Sequence, residues 1–324
     1  MSGPSSSAGH VHPQVAGPSA LVVGEALVDI VIRPDGTEVA TPGGSPMNVA
    51  VALARLGVPT QLATALGDDE YGELIRTHLE RSGARLAPGA HTLSTTSRAI
   101  ARVRSGGSVT YEFDLTWALE MPGFSSPSVV HAGSIALWLE PGAEAVRRCL
   151  DEAARVGALV TLDPNIRPAV LPDVGAVRHG FHELAAMADV VKLSAEDAAY
   201  LYPMLGPADV VERIQECGVQ VVALTDENRG TLIASGESRV VVRPPRVPVT
   251  DTIGAGDTYM GALIHQLLSC GRVEAIKQGG DLAPEELSAI CSFANQAAAI
   301  TVSRHGADPP WLDELQPDVA CTGT

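Results

Sequence analysis

The 324-residue chain is poor in aromatics (4%), in basic residues (22 Lys and Arg against 38 Asp and Glu) and in cysteine (five). Its formal net charge of -16 excludes a broad nucleic-acid or anionic-membrane surface, which needs a basic face, and leaves room only for a local basic pocket. Cys149, Cys217, Cys270, Cys291 and Cys321 stand singly with no Cys-x-x-Cys pair. Neither a zinc site nor a disulfide framework is expected, and a reduced, cytoplasmic setting fits. No apolar run is long enough to span a bilayer. Residues 1–19, rich in Ser, Gly, Pro and His, lack the basic start and apolar stretch of a signal peptide and read as a disordered tail, with His10 and His12 incidental. Also missing are the Gly-Lys-Ser/Thr of a Walker A loop and a Gly-x-Gly-x-x-Gly after the first strand, where the third glycine of the later loop, Gly261, comes too late. The commonest nucleotide-binding folds, and with them a nicotinamide-dependent dehydrogenase, are disfavoured.

What is present is a chain that can bury a large core, with 45% hydrophobic residues. Short β-branched runs (21–23, 61–65, 129–132, 159–162, 190–193, 219–224) alternate with longer amphipathic segments (47–56, 71–81, 142–156, 195–202, 209–217, 257–270, 284–303). That alternation predicts an α/β fold, a large and mostly parallel sheet flanked by helices on both faces. Two stretches, 28–41 and 97–117, carry strand-like residues and turn signals at Pro34-Asp35-Gly36 and Ser105-Gly106-Gly107 but no helix between. They read as a small projecting sheet, a lid over a site or a dimer contact or both, with decorative hairpins as the alternative.

The most informative stretch is Asp251-Thr252-Ile253-Gly254-Ala255-Gly256-Asp257, between a β-branched run and an apolar helical segment. With little side chain at Gly254, Ala255 and Gly256, a phosphate can approach the backbone, and the N–H groups opening the helix point at it with the positive dipole end behind them. Asp257 falls in the first turn, where it can accept a proton from a hydroxyl attacking a cradled phosphoryl group. The pattern points to phosphoryl transfer; a tight turn with an aspartate cap is the competing explanation.

Taken with Pro42-Gly43-Gly44-Ser45-Pro46-Met47-Asn48 and the segments Gly24-Glu25-Ala26-Leu27-Val28-Asp29, Gly67-Asp68-Asp69, Asp163-Pro164-Asn165-Ile166-Arg167 and Lys192-Leu193-Ser194, this loop resembles the two signatures of the ribokinase-like (PfkB-type) sugar kinases, in the family's order. Within the family the segments look like the fructokinase and 2-keto-3-deoxygluconate kinase branch. The resemblance implies a ribokinase-like domain over residues 20–315, with the lid, and a short tail at 316–324. It implies an ATP-dependent phosphotransferase acting on a sugar primary hydroxyl, with fructose favoured by the Gly24 to Asp29 segment.

The resemblance also assigns candidate residues. Asp257 is the base, with Gly254, Ala255 and Gly256 as anion hole. Asp29, Gly43, Gly44, Asn48 and Arg167 face the sugar, where a mixture of donors and acceptors suits hydroxyls; Asn48 as a helix cap is the alternative. Arg98, Arg102 and Arg104 would share one strand face and could look down on the substrate, or be solvated. An acidic sugar would need such arginines. Ser194, Thr225, Gly230 and Asn295 are expected at the nucleotide, Glu196 and Asp197 near magnesium, and Asp251 with carbonyls around Ile253, Thr301, Arg304 and Gly306 at a potassium ion, unless Asp251 merely pairs with Arg304. Ser194 and Asp226 depart from the Asn and Gly usual in the family. A homodimer is expected from the lid sheet. The rival from another class is a sugar- or nucleotide-binding regulator without chemistry.

Overall fold

In a computed structural model, which describes residues 17–104, 108–121, 123, 126–171, 173–227 and 229–315, the β-branched runs and amphipathic segments alternate along the chain. β1 (Ala20–Val23) is followed by a hairpin of β2 (Leu27–Ile32) and β3 (Glu38–Gly43), which leads into α1 (Ser45–Arg55). Next come β4 (Thr60–Ala63), β5 (Leu66–Gly67), α2 (Glu70–Arg81), β6 (Arg85–Leu86), β7 (His91–Leu93) and a second hairpin of β8 (Arg98–Val103) and β9 (Val109–Asp114). Then follow β10 (Val129–Gly133), α3 (Gly142–Arg155), β11 (Leu159–Asp163), α4 (Val174–Ala185), β12 (Val190–Ser194), α5 (Ala195–Leu201) and α6 (Pro207–Gln215). The chain closes with β13 (Val221–Asp226), β14 (Gly230–Ser235), β15 (Ser238–Val242), α7 (Ala255–Ser269), α8 (Val273–Lys277) and α9 (Pro284–Val302).

Among the described residues, nine strands form the main sheet in the order β15-β14-β13-β12-β11-β10-β1-β4-β6. Pairing is parallel from β13 to β6, while β14 and β15 run antiparallel at one edge. Central strands are buried on both faces, which is why they read as unbroken apolar runs. Successive side chains serve opposite layers: Val22, Val129, Leu159 and Val190 join α1, α7 and α9 in one core, and Val23, Val130, Val160 and Val191 join α3, α4 and α6 in the other. The carboxyl ends of β1, β10, β11, β12 and β13 therefore open on one side, where ligands gather in folds of this type.

α1 and α7 cross closely because Gly261 carries no side chain: a Cβ there would lie 2.7 Å from Ala52 Cβ. That close approach carries the start of α1 against the start of α7.

The projecting sheet has the order β3-β2-β8-β9, two antiparallel hairpins joined by a parallel β2–β8 pair. The first turn sits at Pro34-Asp35-Gly36, where the Asp35 carboxylate accepts from Thr37 N (2.9 Å) and Gly36 takes φ +83°; the Ser105-Gly106-Gly107 turn lies outside the described residues. Register settles the two faces. Asp29 is paired with Ala99, and Ala99 with Phe113, so these share a face with Val31, Ala101 and Tyr111; Arg98, Ile100 and Arg102 stand on the other.

Some elements were not expected from the sequence. α4, with a Gly and two His in VGAVRHGFHELA, has a weak apolar stripe in sequence but buries Val177, Phe181, Leu184 and Ala185. β14 and β15 follow Asp226 without a helix, as an antiparallel edge. Cys270 is disulfide-bonded, against the expectation of dispersed reduced thiols, whereas Cys149, Cys217 and Cys291 are free. Residues 1–16 of the expected N-terminal tail, with His10 and His12, and the expected 316–324 tail lie outside the described residues. Among the described residues no helix is long and apolar enough to cross a membrane.

Candidate active site

The loop before α7 delivers what its glycines promise. Gly254 is the N-cap of α7 in the left-handed region (φ +76°), and a Cβ on it would run into Ala307 at 2.5 Å, so both conformation and space call for glycine. Ala255 N–H is taken by Thr252 O (3.3 Å). The N–H groups of Gly256 and Asp257 meet no acceptor among the described residues, as expected of a helix N-terminus. Behind them stand the 15 residues of α7 and its dipole.

Asp257 is 7% exposed and held at both oxygens: Ser45 Oγ donates to Oδ1 (2.6 Å) and Asn48 Nδ2 donates to Oδ2 (2.8 Å). Both donors come from the first turn of α1, brought there by the Gly261–Ala52 contact. An aspartate that caps its own helix would not need them. Asn48 is thus an orienter of the carboxylate, a role its sequence position alone did not reveal, and Ser45 was not singled out at all. The 212-residue separation between Ser45 and Asp257 explains why.

Gly44 (φ +108°) lets the chain pass within 2.7 Å of Glu25 O, measured to the Cβ it lacks, and Gly43 makes room for the Asp29 carboxylate, whose Oδ2 would be 2.1 Å from a Cβ. Solvent reaches Asp29, yet the surrounding protein raises its pKa and the nearby Arg167 charge lowers it. Glu25 is buried (5% exposed) at the end of β1, accepts from Ala136 N (3.1 Å), and burial pushes its pKa up to about 7 against the Ser134 hydrogen bond and the Arg167 charge. Arg167, exposed after β11, is close enough for its charge to lower the pKa of both carboxylates.

Arg98 and Arg102 do not join them. They lie on the lid face opposite Asp29, Arg98 paired with Asp114 and Arg102 with Glu112 (3.7 Å) across the β8–β9 hairpin. The expectation that these arginines look down on the same substrate as Asp29 is corrected by the register: alternation shared by β2 and β8 sends them to the other side.

On the nucleotide side, Ser194 caps α5 and forms a reciprocal box with Asp197. Asp197 also accepts from Ile166 N (2.8 Å), so its carboxylate knits the ends of β11 and β12 together, while Glu196 is exposed. Thr225 Oγ1 donates to Leu193 O (3.4 Å). Asp226, the unexpected acid, accepts from Arg229 N (3.0 Å), and at Gly230 (φ +92°) a Cβ would lie 2.5 Å from Val242 O. Asn295 is buried (5% exposed) and accepts from Thr231 Oγ1 (3.4 Å) while donating to Val242 O (3.2 Å), so it ties α9 to β14 and β15. Among the described residues no group of three or more His, Cys, Asp or Glu is placed to hold a metal.

The Asp251 carboxylate accepts from Ile253 N (3.1 Å) and Gly306 N (2.9 Å), which hold its pKa down and bring the loops 251–253 and 304–306 together. Arg304 pairs instead with Asp308 (3.5 Å) and Glu314. Thr301, buried, shares a hydrogen bond with Thr258 (2.9 Å).

Beneath the mouth of α7 lies a group to which the sequence alone assigned no role. Lys192 Nζ, 4% exposed, bonds Asp163 Oδ2 (2.9 Å) and lies 2.9 Å from the place a Cβ on Gly256 would take. Next to it His131 is fully buried, with its pKa pushed down to about 3 by burial and by the Lys192 charge.

The fold and a buried carboxylate beside free amides at a helix mouth suit a phosphotransferase, and comparison with known proteins agrees. Residues 18–314 match the pfkB family of carbohydrate kinases. The chain is 31% identical over 327 residues to fructokinase-1 of Oryza sativa subsp. japonica, covering 93% of this chain and 98% of the rice protein. It is 29% identical over 312 residues to the fructokinase of Klebsiella pneumoniae (91% and 97% covered). Among solved structures, the fructokinase of Xylella fastidiosa with bound ATP superposes with a TM-score of 0.75 at 25% identity, covering 89% of this chain and 93% of that one. The fructokinase of Vibrio cholerae O395, solved with fructose, ADP and calcium, shares the fold with a TM-score of 0.74 at 24% identity, covering 90% and 94%. The chain belongs to the pfkB family of carbohydrate kinases. It is a ribokinase-like phosphotransferase whose acceptor is a sugar hydroxyl.

Proposed function

We propose that the chain is an ATP-dependent fructokinase, transferring the γ-phosphoryl group to a primary hydroxyl of fructose. The observation that carries the chemistry is the buried Asp257 carboxylate, gripped by Ser45 and Asn48 and set beside two unpartnered amides of α7. The substrate oxygen attacks Pγ, its proton passes to Asp257, and the Pγ–O bond to ADP breaks, the ADP oxygen keeping the electron pair. The Gly256 and Asp257 amides bind the charge that develops on the phosphoryl oxygens.

The named relatives support fructose, and so does the cleft. Glu25 and Asp29 both feel the Arg167 charge, and the lid arginines are turned away from Asp29 and paired. A neutral polyol suits that lining better than 2-keto-3-deoxygluconate, whose carboxylate would meet Glu25 and Asp29. Sugar binding by Asp29, Asn48, Arg167 and the Gly43–Gly44 backbone follows from the same reading. Ser194, Thr225 and Gly230 would attend the nucleotide, and Asn295 would reach it only by releasing Val242. Magnesium would ride on the nucleotide phosphates, with Glu196 and Asp197 meeting it through water; when bound it neutralises phosphate charge. Potassium would sit at Asp251 and the carbonyls around Ile253, Thr301, Arg304 and Gly306, and would stiffen the loop that leads into the anion hole. The reading puts the enzyme in the cytoplasm, where ATP is supplied.

We further propose a homodimer through the lid. Every residue of β9, an edge strand, is exposed, and Val109, Tyr111 and Phe113 present one apolar face, with Val31 and Val39 beyond them.

ADP formation against fructose, 2-keto-3-deoxygluconate, ribose and glucose, with and without magnesium and potassium, tests the assignment. Turnover is expected with fructose first; no turnover with any sugar, or preference for the acidic one, overturns it. Asp257→Asn should abolish most turnover while fructose and ATP still bind; full activity in that variant refutes the base.

A further inference from the structure

We propose that Lys192 is a catalytic residue of this enzyme: its ammonium supports the anion hole from below and donates to the transferring phosphoryl group, and Asp163 is the residue that positions it. This rests on the kinase reading given above.

Three observations carry it. First, Lys192 projects from β12 to the first turn of α7, and its Nζ comes to 2.9 Å from the Cβ position that Gly256 leaves vacant. Glycine at 256 has no positive φ to demand it, so the space it leaves is used by the lysine tip. Second, the ammonium is only partly committed. Asp163 Oδ2 engages one of its three N–H groups, and among the described residues no other acceptor bonds it. Third, the partner carboxylate is itself incomplete: Asp163 is 0% exposed, and its Oδ1 has no hydrogen-bond partner among the described residues. A pair that only stitched β11 to β12 would gain from satisfying these groups, since buried polar atoms left open are costly.

The electrostatics agree. Burial opposes the Lys192 charge, but Asp163, with Asp197 and Asp257 farther off, more than offsets this and its pKa is raised; the cation persists at every working pH. Burial raises Asp163 to about 6, with Lys192 holding it down, so the pair is ionised at neutral pH. His131, also against the pair, stays neutral and does not compete. A fixed cation in a dry setting beside two free amides acts where the phosphoryl charge builds up, and it needs no reorganisation when the reaction occurs.

Removing Lys192 alone would strand a buried carboxylate, so the test uses Lys192→Met combined with Asp163→Asn, which removes both charges together. The double variant should keep the wild-type affinity for ADP and a KM for fructose within about threefold, while kcat falls by ~100-fold or more, as for loss of one anion-hole donor. Its affinity for a non-hydrolysable ATP analogue relative to ADP should also fall, because the lysine reaches the terminal phosphoryl group. A kcat within about threefold of wild type, with an unchanged preference for the ATP analogue over ADP, makes the pair structural and overturns the proposal.

Should that variant fail to fold, 15N-lysine NMR of the unaltered enzyme decides. A protected Nζ signal that shifts on adding ADP with aluminium fluoride, but not with ADP alone, supports the contact; no such shift overturns it. A wild-type enzyme without sugar-dependent ADP formation would instead sink the kinase reading, so the two failures are distinguishable.

Discussion

Ser45→Ala isolates the orientation of the base from its chemistry. The Ser45 hydroxyl donates a 2.6 Å bond to Asp257 Oδ1, and Asn48 holds Oδ2 at 2.8 Å. A hydrogen bond to a charged group is worth about 1.5–3 kcal/mol, and each 1.4 kcal/mol is a factor of about ten in rate. If the whole bond served alignment, kcat would fall about 10- to 150-fold. Because Asn48 still anchors the other oxygen, the lower end is expected, about tenfold in kcat with KM for ATP within about twofold. Ser45 is the first residue of α1, preceding Pro46, and contributes no side-chain cap, so its loss should cost stability only through the bond to buried Asp257, about 1–3 kcal/mol. Asn48→Ala should behave similarly, and the two together should lose more than the product of the single effects, since one remaining bond suffices to fix the carboxylate and none does not. Steady-state kinetics with fructose and ATP, alongside thermal unfolding, decide the matter. A Ser45→Ala enzyme with kcat within about twofold of wild type would show that Asp257 needs no orienting partner, and the account of the α1–α7 junction would be wrong.

Glu25 should leave a mark on the pH dependence of stability. Its folded pKa of about 7 lies above the ordinary 4.5, so between these values the folded state binds more protons than the unfolded one and stability is lost as pH rises, by up to roughly 3 kcal/mol. His131, depressed to about 3 from 6.5, works the other way, costing stability as pH falls below 6.5. Glu25→Gln should therefore gain stability on the wild type at pH 8 relative to pH 5 in urea unfolding, and an equal difference at both would refute the burial argument. Gly261→Ala places a methyl 2.7 Å from Ala52 Cβ; overpacking of about 1–3 kcal/mol should lower Tm, and the displaced α1 should lower kcat as well. Unchanged kcat would uncouple the helix crossing from the site. Tyr111→Asp, in the middle of the exposed lid face, should convert a dimer into a monomer by light scattering, and an unchanged assembly would remove the lid from the interface.

The parts of this molecule that local physics specifies could be read in advance. Gly254, with its left-handed cap, and Asp257, in the first turn of an apolar helix, mark a glycine-opened helix mouth within seven residues; β1, β10, β11 and β12 declare a parallel sheet by being apolar on both faces; Pro34-Asp35-Gly36 marks its own turn. What escaped was either weakly patterned or distant. α4 hides behind a Gly and two His, and β14 and β15 were missed because an antiparallel edge looks like more of the same β-branched sequence. Asn295 suggested a ligand contact but spends its amide on Val242 and Thr231, a fact that depends on how α9 docks.

Local composition and periodicity thus determined the fold class and the glycine-lined turn that opens α7 with an aspartate in its first turn, because each depends on residues that are neighbours in the chain. Only the tertiary structure decided that Ser45 and Asn48 grip Asp257, that Lys192 lies under Gly256, and that Arg98 and Arg102 face away from Asp29. These depend on helix crossing and strand register, and both are set by packing between segments far apart in sequence, where a single methyl at Gly261 or a one-residue slip in β8 would change the outcome.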